Sequence, residues 1–441
     1  MANPGASHLS DPPDTRRYLG HVIQTTTRTS RLQANIMPAN YDETLIPDYV
    51  LPDPLVDGAG QRVTDATTWR HHRRPEILRL FEQHVYGAMP GPPSQTTAEI
   101  LEEGEALGGR AIRRQVRLHF HGNGYSTHAD ILLFLPRSQQ PVAAFVGLSF
   151  FGNHAVCDDP AVELSETWMR KSDKEGIVDH RATQASRGMN ASRWSIERII
   201  ERGYALATAY CGDFDPDFDD GYANGVHPLF YRPGQEQPAP GEWGTISAWT
   251  WGLRRILDYL ETDADVDAKR VAVMGHSRLG KTALWAGAID ERFGLVISND
   301  SGCGGAALSR RCVGETVGRI NTSFPHWFCD NYRAYNDAEG ECPVDQHELI
   351  ALVAPRPVYV ASATEDLWAD PAGELLAAFH AGPVYDLLGR KSLTVSQLPA
   401  GGTVMNDTDV SYHLRVGGHD VTDWDWQQWL DAADRHLATS P

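Results

Sequence analysis

Between Arg270 and Ala288 three kinds of sequence stand end to end: a β-branched run (Val271-Ala-Val), a turn with two glycines (Gly275-His276-Ser277-Arg278-Leu279-Gly280-Lys281), and good helix formers from Thr282 onward. A strand that enters a helix through a tight turn is the unit from which parallel sheets are built, because parallel strands need a helical crossover. Other segments repeat the rhythm. Ile77, Leu80, Phe81 and Val85 predict a helix over 68–87, and Ile246, Trp249, Leu253, Ile256, Leu257 and Leu260 predict another by their spacing. Apolar runs at 111–120, 130–135, 141–150, 204–210, 270–274, 295–298 and 357–361 predict strands, and 194–200 and 424–437 predict helices. The expected fold class is α/β, with a mostly parallel central sheet sandwiched by helices. Residues 1–66, rich in Pro, Asp and Thr, are expected to form an irregular N-terminal segment, and 67–441 the α/β domain. The stretches 158–192 and 212–241 read as inserted polar loops.

Charge and composition narrow the partners. A formal charge of −19 disfavours nucleic acid and anionic membrane surfaces, while a neutral polymer is not repelled. No apolar run approaches the roughly 18 residues that span a bilayer, and Met1 to Asp14 shows no signal-peptide core. Cys157, Cys211, Cys303, Cys312, Cys329 and Cys342 contain no CxxC pair and match no zinc spacing, so no metal is expected. Disulfides and buried free thiols both remain open for them.

Ser277 on a strand-to-helix turn has the setting of a nucleophile elbow, although Leu279 stands at the second glycine of G-x-S-x-G and Gly280 follows it. Arg278 and Lys281 lie in the first helical turn, where cations oppose the helix dipole by about 0.3–1 kcal/mol each. An anionic group bound there would explain them; Lys281 in solvent or paired with an acid is the alternative. A hydrolase triad of this kind runs Ser, acid, His. Gly417-Gly418-His419-Asp420 supplies a histidine in a glycine loop ahead of the last helix, while His413 reads as part of a strand.

These segments together resemble the glucuronoyl esterases of carbohydrate esterase family 15. The likeness rests on Gly275 to Lys281 read as G-x-S-R-x-G-K, on Ser298 to Arg310, on Glu365 to Pro371, on Gly418-His419-Asp420 and on Trp69 to Pro90. The resemblance implies an α/β-hydrolase fold and hydrolysis of the ester between 4-O-methyl-D-glucuronic acid on glucuronoxylan and lignin alcohols. It implies no cofactor, a monomer, and a secreted or periplasmic location. It makes Ser277 the nucleophile, His419 the base and Arg278 an oxyanion partner, with Lys281, Glu315 and Trp368 on the sugar ring. A second oxyanion donor is expected near Phe150 to Gly152. For the triad acid, Asp366 is favoured over Asp300, which is one methylene shorter than the Glu that many relatives carry there, and both could stand near the imidazole.

Plainer readings compete. Glu315 could be a solvated helix charge and Trp368 a core residue. Asp213-Phe-Asp-Pro-Asp-Phe-Asp219 looks like the start of a calcium loop but has Phe218 where glycine is needed. Gly302-Cys-Gly-Gly305 lacks the setting of a phosphate loop. An acetyl-xylan esterase on the same scaffold, or a non-catalytic carbohydrate-binding protein, are the alternative functions.

Overall fold

A ten-stranded sheet runs through the computed structural model, which describes residues 38–438. Its strands are β1 (Gln95–Ala106), β2 (Ala111–Gly122), β3 (Tyr125–Pro136), β4 (Val142–Ser149), β5 (Ala205–Tyr210), β6 (Val266–His276), β7 (Phe293–Asn299), β8 (Val358–Ala363), β9 (Thr403–Met405) and β10 (Val410–Arg415). The spatial order is β1-β2-β3-β5-β4-β6-β7-β8-β10-β9. From β5 through β10 every neighbour is parallel; β1, β2 and β3 at one edge and β9 at the other are antiparallel.

The central strands read as continuous apolar runs because both faces are covered. One face carries α1 (Arg74–Phe81), α3 (Thr245–Leu260) and α4 (Arg278–Ile289), whose Phe81, Ile246, Trp249, Ile256, Leu284 and Trp285 join one buried cluster. The opposite face packs α2 (Ile196–Glu201) and α5 (Asp423–His436) over Phe145, Leu206, Ala272 and Ile297. Trp285 of α4 is fully buried, stacks on Tyr86 at 4.4 Å and donates from its indole to Ser247 Oγ. Trp285→Ala is expected to cost about 3–5 kcal/mol, as large-to-small core changes of this size do. Urea unfolding checks this, and a loss under about 1 kcal/mol would mean the elbow helix does not depend on that contact.

The predicted elements overlap the observed ones, several overrunning them by one or two residues, and three differences stand out. The first helix is α-helical only at 74–81 and is flanked by π turns at 69–73 and 82–86. Strand β1 was not expected, because an edge strand with charged, exposed residues (Glu99, Glu103, Glu105) carries little apolar signal. The loop 158–192 contains a two-residue strand pair, Ile177–Val178 with Arg181–Ala182.

Of the N-terminal segment, residues 1–37 lie outside the described residues, and with them Met1 to Asp14. Residues 39–65 hold a three-residue 3-10 turn (Glu43–Leu45) and bury Leu55 and Val63 in the core. All six cysteines are free, four of them buried, which removes the disulfide alternative. No helix among the described residues is long and apolar enough to cross a membrane.

Candidate active site

Parallel strands of one sheet end on the same side, so the loops after β6, β7, β8 and β10 meet at one edge. Those four strands are adjacent, and their loops carry Ser277, Asp300, Asp366 and His419. Residues scattered over more than 140 positions of sequence are thereby neighbours in space.

The elbow is built by close backbone approach. Ser277 has φ 58° and ψ −132°, a conformation that costs a non-glycine residue of order 1–3 kcal/mol and clusters at functional sites. A Cβ on Gly275 would lie 1.9 Å from Leu279 O, so that position needs glycine, and one on Gly280 would press on Asn299 O at 3.0 Å, tighter than most side chains are found. Gly280 therefore does the work expected of the second elbow glycine, and Leu279 is buried instead. Ser277 N–H donates to Asn299 O at 2.9 Å, tying the turn to the neighbouring strand. Gly280 and Lys281 N–H both donate to Ser277 O (2.8 and 3.1 Å), while Arg278 N–H, first in the helix, has no intrahelical partner.

His419 is exposed, and its Nδ1 donates to Asp366 Oδ2 at 2.6 Å. Asp366 is only 5% exposed, so its carboxylate orients the imidazole from beneath while the other ring nitrogen remains on the open side. Ser277 Oγ makes no hydrogen bond to His419 in this state; such contacts commonly tighten only with substrate bound. Glu365 is exposed and engaged through its backbone with Gly417 O. His413 lies fully buried in β10, with Nε2 on Asp425 (2.9 Å) and Nδ1 on Tyr359 (3.1 Å), and takes no part in the edge.

Asp300 stands behind the pair. Its carboxyl, Asp366 and His419 each place one atom within 4.8 Å of the others, yet Asp300 Oδ2 accepts from Asn299 Nδ2 (3.2 Å) and faces Arg415 Nη2 (3.6 Å), while Oδ1 is buried without a hydrogen-bond partner. Burial, and then the carboxyls of Glu374 and Asp366, push Asp300 well above the ordinary carboxylate range, against the pull of Arg415. Burial also lifts Glu374 to about 7, while that side chain accepts from Ser301 N, Gly302 N and Ser362 Oγ and so holds the loop after β7. The three-residue group has the composition of a cation site, but two ligands sharing one small ion at about 2.0–2.2 Å from each stand more than about 3 Å apart. The 2.6 Å between His419 and Asp366 is the separation of a shared proton.

His276, between the elbow glycine and the serine, was not expected to matter. Its ring lies 4.4 Å from that of His419, and Nδ1 accepts from Asn299 Nδ2 at 2.8 Å. Burial, then the positive charge of His419, Arg193 and Arg415, keeps its pKa well below the usual histidine value, so it packs against His419 as a neutral ring.

The remaining expected residues divide by depth. Arg278 lays its guanidinium over Phe150 (4.4 Å) and near Trp327 (5.9 Å), so the loop after β4 does approach the elbow. Lys281 is only 3% exposed, and its ammonium donates to Ser301 O (2.7 Å), Cys303 O (2.6 Å) and Glu315 Oε2 (3.0 Å). All three of its protons are therefore engaged within the protein. Glu315 is buried, not solvated, and its N–H donates to Trp368 O at 3.0 Å. Trp368 is 42% exposed rather than core, with Arg319 5.9 Å from its ring centroid. Lys281 of the elbow helix is thereby tied to Glu315, and Glu315 through its backbone to Trp368. A groove of about 890 Å³ lined by Val156, Pro160, Trp194, Glu197 and Asp423 includes none of these residues, so cavity size does not mark the site.

Asp217 is the residue that the sequence reading passed over. In the set-aside Asp213–Asp219 stretch, Asp213 faces Thr167 (2.7 Å), Asp215 faces Thr245 (2.5 Å), and Asp217 stands 3.0 Å from Arg278 Nε. The three carboxylates turn to different partners, which no calcium loop does. Only the alternation of aspartates with phenylalanines hinted that these acids are partly buried.

Residues 237–389 match the family model of fungal glucuronyl esterases. A promiscuous CE15 esterase from a marine bacterial metagenome is 51% identical, with 90% of this chain and 100% of that one covered and a TM-score of 0.85. A glucuronoyl esterase from Solibacter usitatus is 47% identical over 90% and 100% of the two chains, with a TM-score of 0.84. A 4-O-methyl-glucuronoyl methylesterase from Phanerochaete carnosa is 33% identical over 83% of this chain and 78% of its own. Identity of this depth over most of the chain means that it belongs to carbohydrate esterase family 15.

Proposed function

We propose that this carboxylic ester hydrolase cleaves the ester joining (4-O-methyl-)D-glucuronic acid side chains of glucuronoxylan to lignin alcohols, through a serine acyl-enzyme. The observation that carries the reading is the His419–Asp366 contact of 2.6 Å on the same sheet edge as the strained Ser277. His419 takes the Ser277 proton as Oγ attacks the uronic ester carbonyl. The tetrahedral oxyanion gathers the Arg278 guanidinium and a backbone N–H of the Arg278 or Phe150–Gly152 region. His419 then protonates the departing lignin-side alcohol, and water, deprotonated by the same ring, releases glucuronate.

Glu315 accepts from sugar hydroxyls and Trp368 offers its exposed face to the pyranose. Lys281 contacts the ring by exchanging one of its three protein acceptors for a hydroxyl. We also place the enzyme outside the cytoplasm, where its polymer occurs, acting as a monomer. A broader esterase reading has one observation in its favour, the description of the 51%-identical metagenomic relative as promiscuous.

The test compares turnover of benzyl glucuronate with that of acetylated xylan. The reading expects glucuronate ester cleavage to dominate in kcat/KM. Cleavage of the acetyl ester alone would keep the serine chemistry and remove the ring-reading roles of Lys281, Glu315 and Trp368.

A further inference from the structure

We propose that Asp217 is a positioning residue for the reaction, holding the Arg278 guanidinium where the oxyanion forms. The proposal rests on the reading of Arg278 as an oxyanion partner and extends it to a residue outside every motif given a catalytic role above.

A carboxylate that is 5% exposed is costly to bury unless it is paired. Asp217 is paired on both oxygens. Oδ1 accepts from the Trp327 indole N–H at 2.8 Å and lies 3.1 Å from His326 Nε2. Oδ2 stands 3.0 Å from Arg278 Nε and 3.7 Å from an Arg170 nitrogen. Burial works against the charged form, but Arg278 and the His326 and Trp327 donors outweigh it and hold the carboxyl well below the usual range. Asp217 is therefore a fixed negative charge beside the elbow.

What that charge does to Arg278 follows from geometry. The Nε–Oδ2 contact is close but not aligned as a hydrogen bond, since both atoms lack one, so it is charge attraction that holds the pair. The guanidinium is also confined between aromatic faces, 4.4 Å above Phe150 and 5.9 Å from Trp327. Trp327 thus serves both partners: its ring borders the cation and its N–H grips the anion. Asp217 takes the inner Nε side, and neither terminal nitrogen of Arg278 bonds a carboxylate among the described residues, which leaves that end for a developing oxyanion. A donor already in place when charge develops stabilises the transition state without reorganisation. An arginine on its flexible stem, released from Asp217, would have to be ordered in each turnover.

The test is a double-mutant cycle on benzyl glucuronate, with thermal melting as the folding control. Asp217→Asn keeps the shape and the carbonyl oxygen for Trp327 but removes the charge. It is expected to lower kcat by about 10- to 100-fold, below the 10²- to 10³-fold typical of deleting an oxyanion donor outright, with KM within about threefold. In an Arg278→Ala background the same change is expected to alter kcat less than about twofold, because a residue acting only through Arg278 has nothing left to position. Trp327→Phe, which keeps the ring and loses the N–H, is the second variant and should show a smaller loss that also vanishes without Arg278. If Asp217→Asn leaves kcat unchanged, or costs as much without Arg278 as with it, the proposal is overturned while the oxyanion reading stands. If Arg278→Ala itself keeps wild-type kcat, both are overturned.

Discussion

Ser277→Ala is expected to lower kcat/KM on benzyl glucuronate by about 10⁴- to 10⁶-fold, the largest effect of any single change in this protein. At 1.36 kcal/mol per decade this corresponds to roughly 5–8 kcal/mol of transition-state stabilisation, which only loss of the nucleophile removes at one position. The fold should be indifferent to it. Ser277 Oγ makes no hydrogen bond that shapes the turn, and the strain at φ 58° is shared by serine and alanine alike. The residues that would read the sugar, Lys281, Glu315 and Trp368, are untouched, so glucuronate binding by calorimetry should persist in the variant. Retained turnover within about tenfold of wild type would move the nucleophile elsewhere.

The second large effect separates the two acids. Asp366→Asn is expected to reduce kcat by about 10²- to 10⁴-fold, because an amide cannot hold the imidazole in the tautomer and orientation that a carboxylate does. Asp300→Asn is expected to cost less than about tenfold. Burial and two neighbouring carboxyls favour the protonated form of Asp300, and asparagine is the uncharged isostere of that form. Steady-state kinetics on both variants, with melting curves as control, distinguish the assignments. The reverse ranking would make Asp300 the partner of His419.

The elbow was legible because it is local. Strand, turn and helix formers follow one another within Arg270–Ala288, and no distant contact is needed to recognise them. The histidine loop was legible because chain order and the glycines around His419 separate it from His413, whose strand buries it. The acid was legible only as a preference for Asp366, from the shorter reach of Asp300. Asp300 and Asp366 stand at the ends of adjacent strands, and which of them meets Nδ1 depends on backbone placement that neither flanking sequence encodes. The structure gives the 2.6 Å contact to Asp366. The plainer readings of Trp368 as core and Glu315 as solvated both fail, the aromatic being exposed and the acid buried, because hydropathy reports the average environment of a residue type. The partly buried aspartates of 213–217 read as a polar loop for the same reason.

What the sequence by itself determined is therefore the set of pieces: an α/β chain, a serine on an elbow, a base near the C-terminus, and cations at the start of the elbow helix. Periodicity, glycine placement and residue order act over short stretches, and they survive without knowledge of the fold. Tertiary structure alone decided which charges face one another: Asp366 with His419, Lys281 with Glu315, and Asp217 with Arg278. Ion pairing depends on distance and burial, and residues far apart in sequence acquire both only when the parallel sheet brings its loops to one edge.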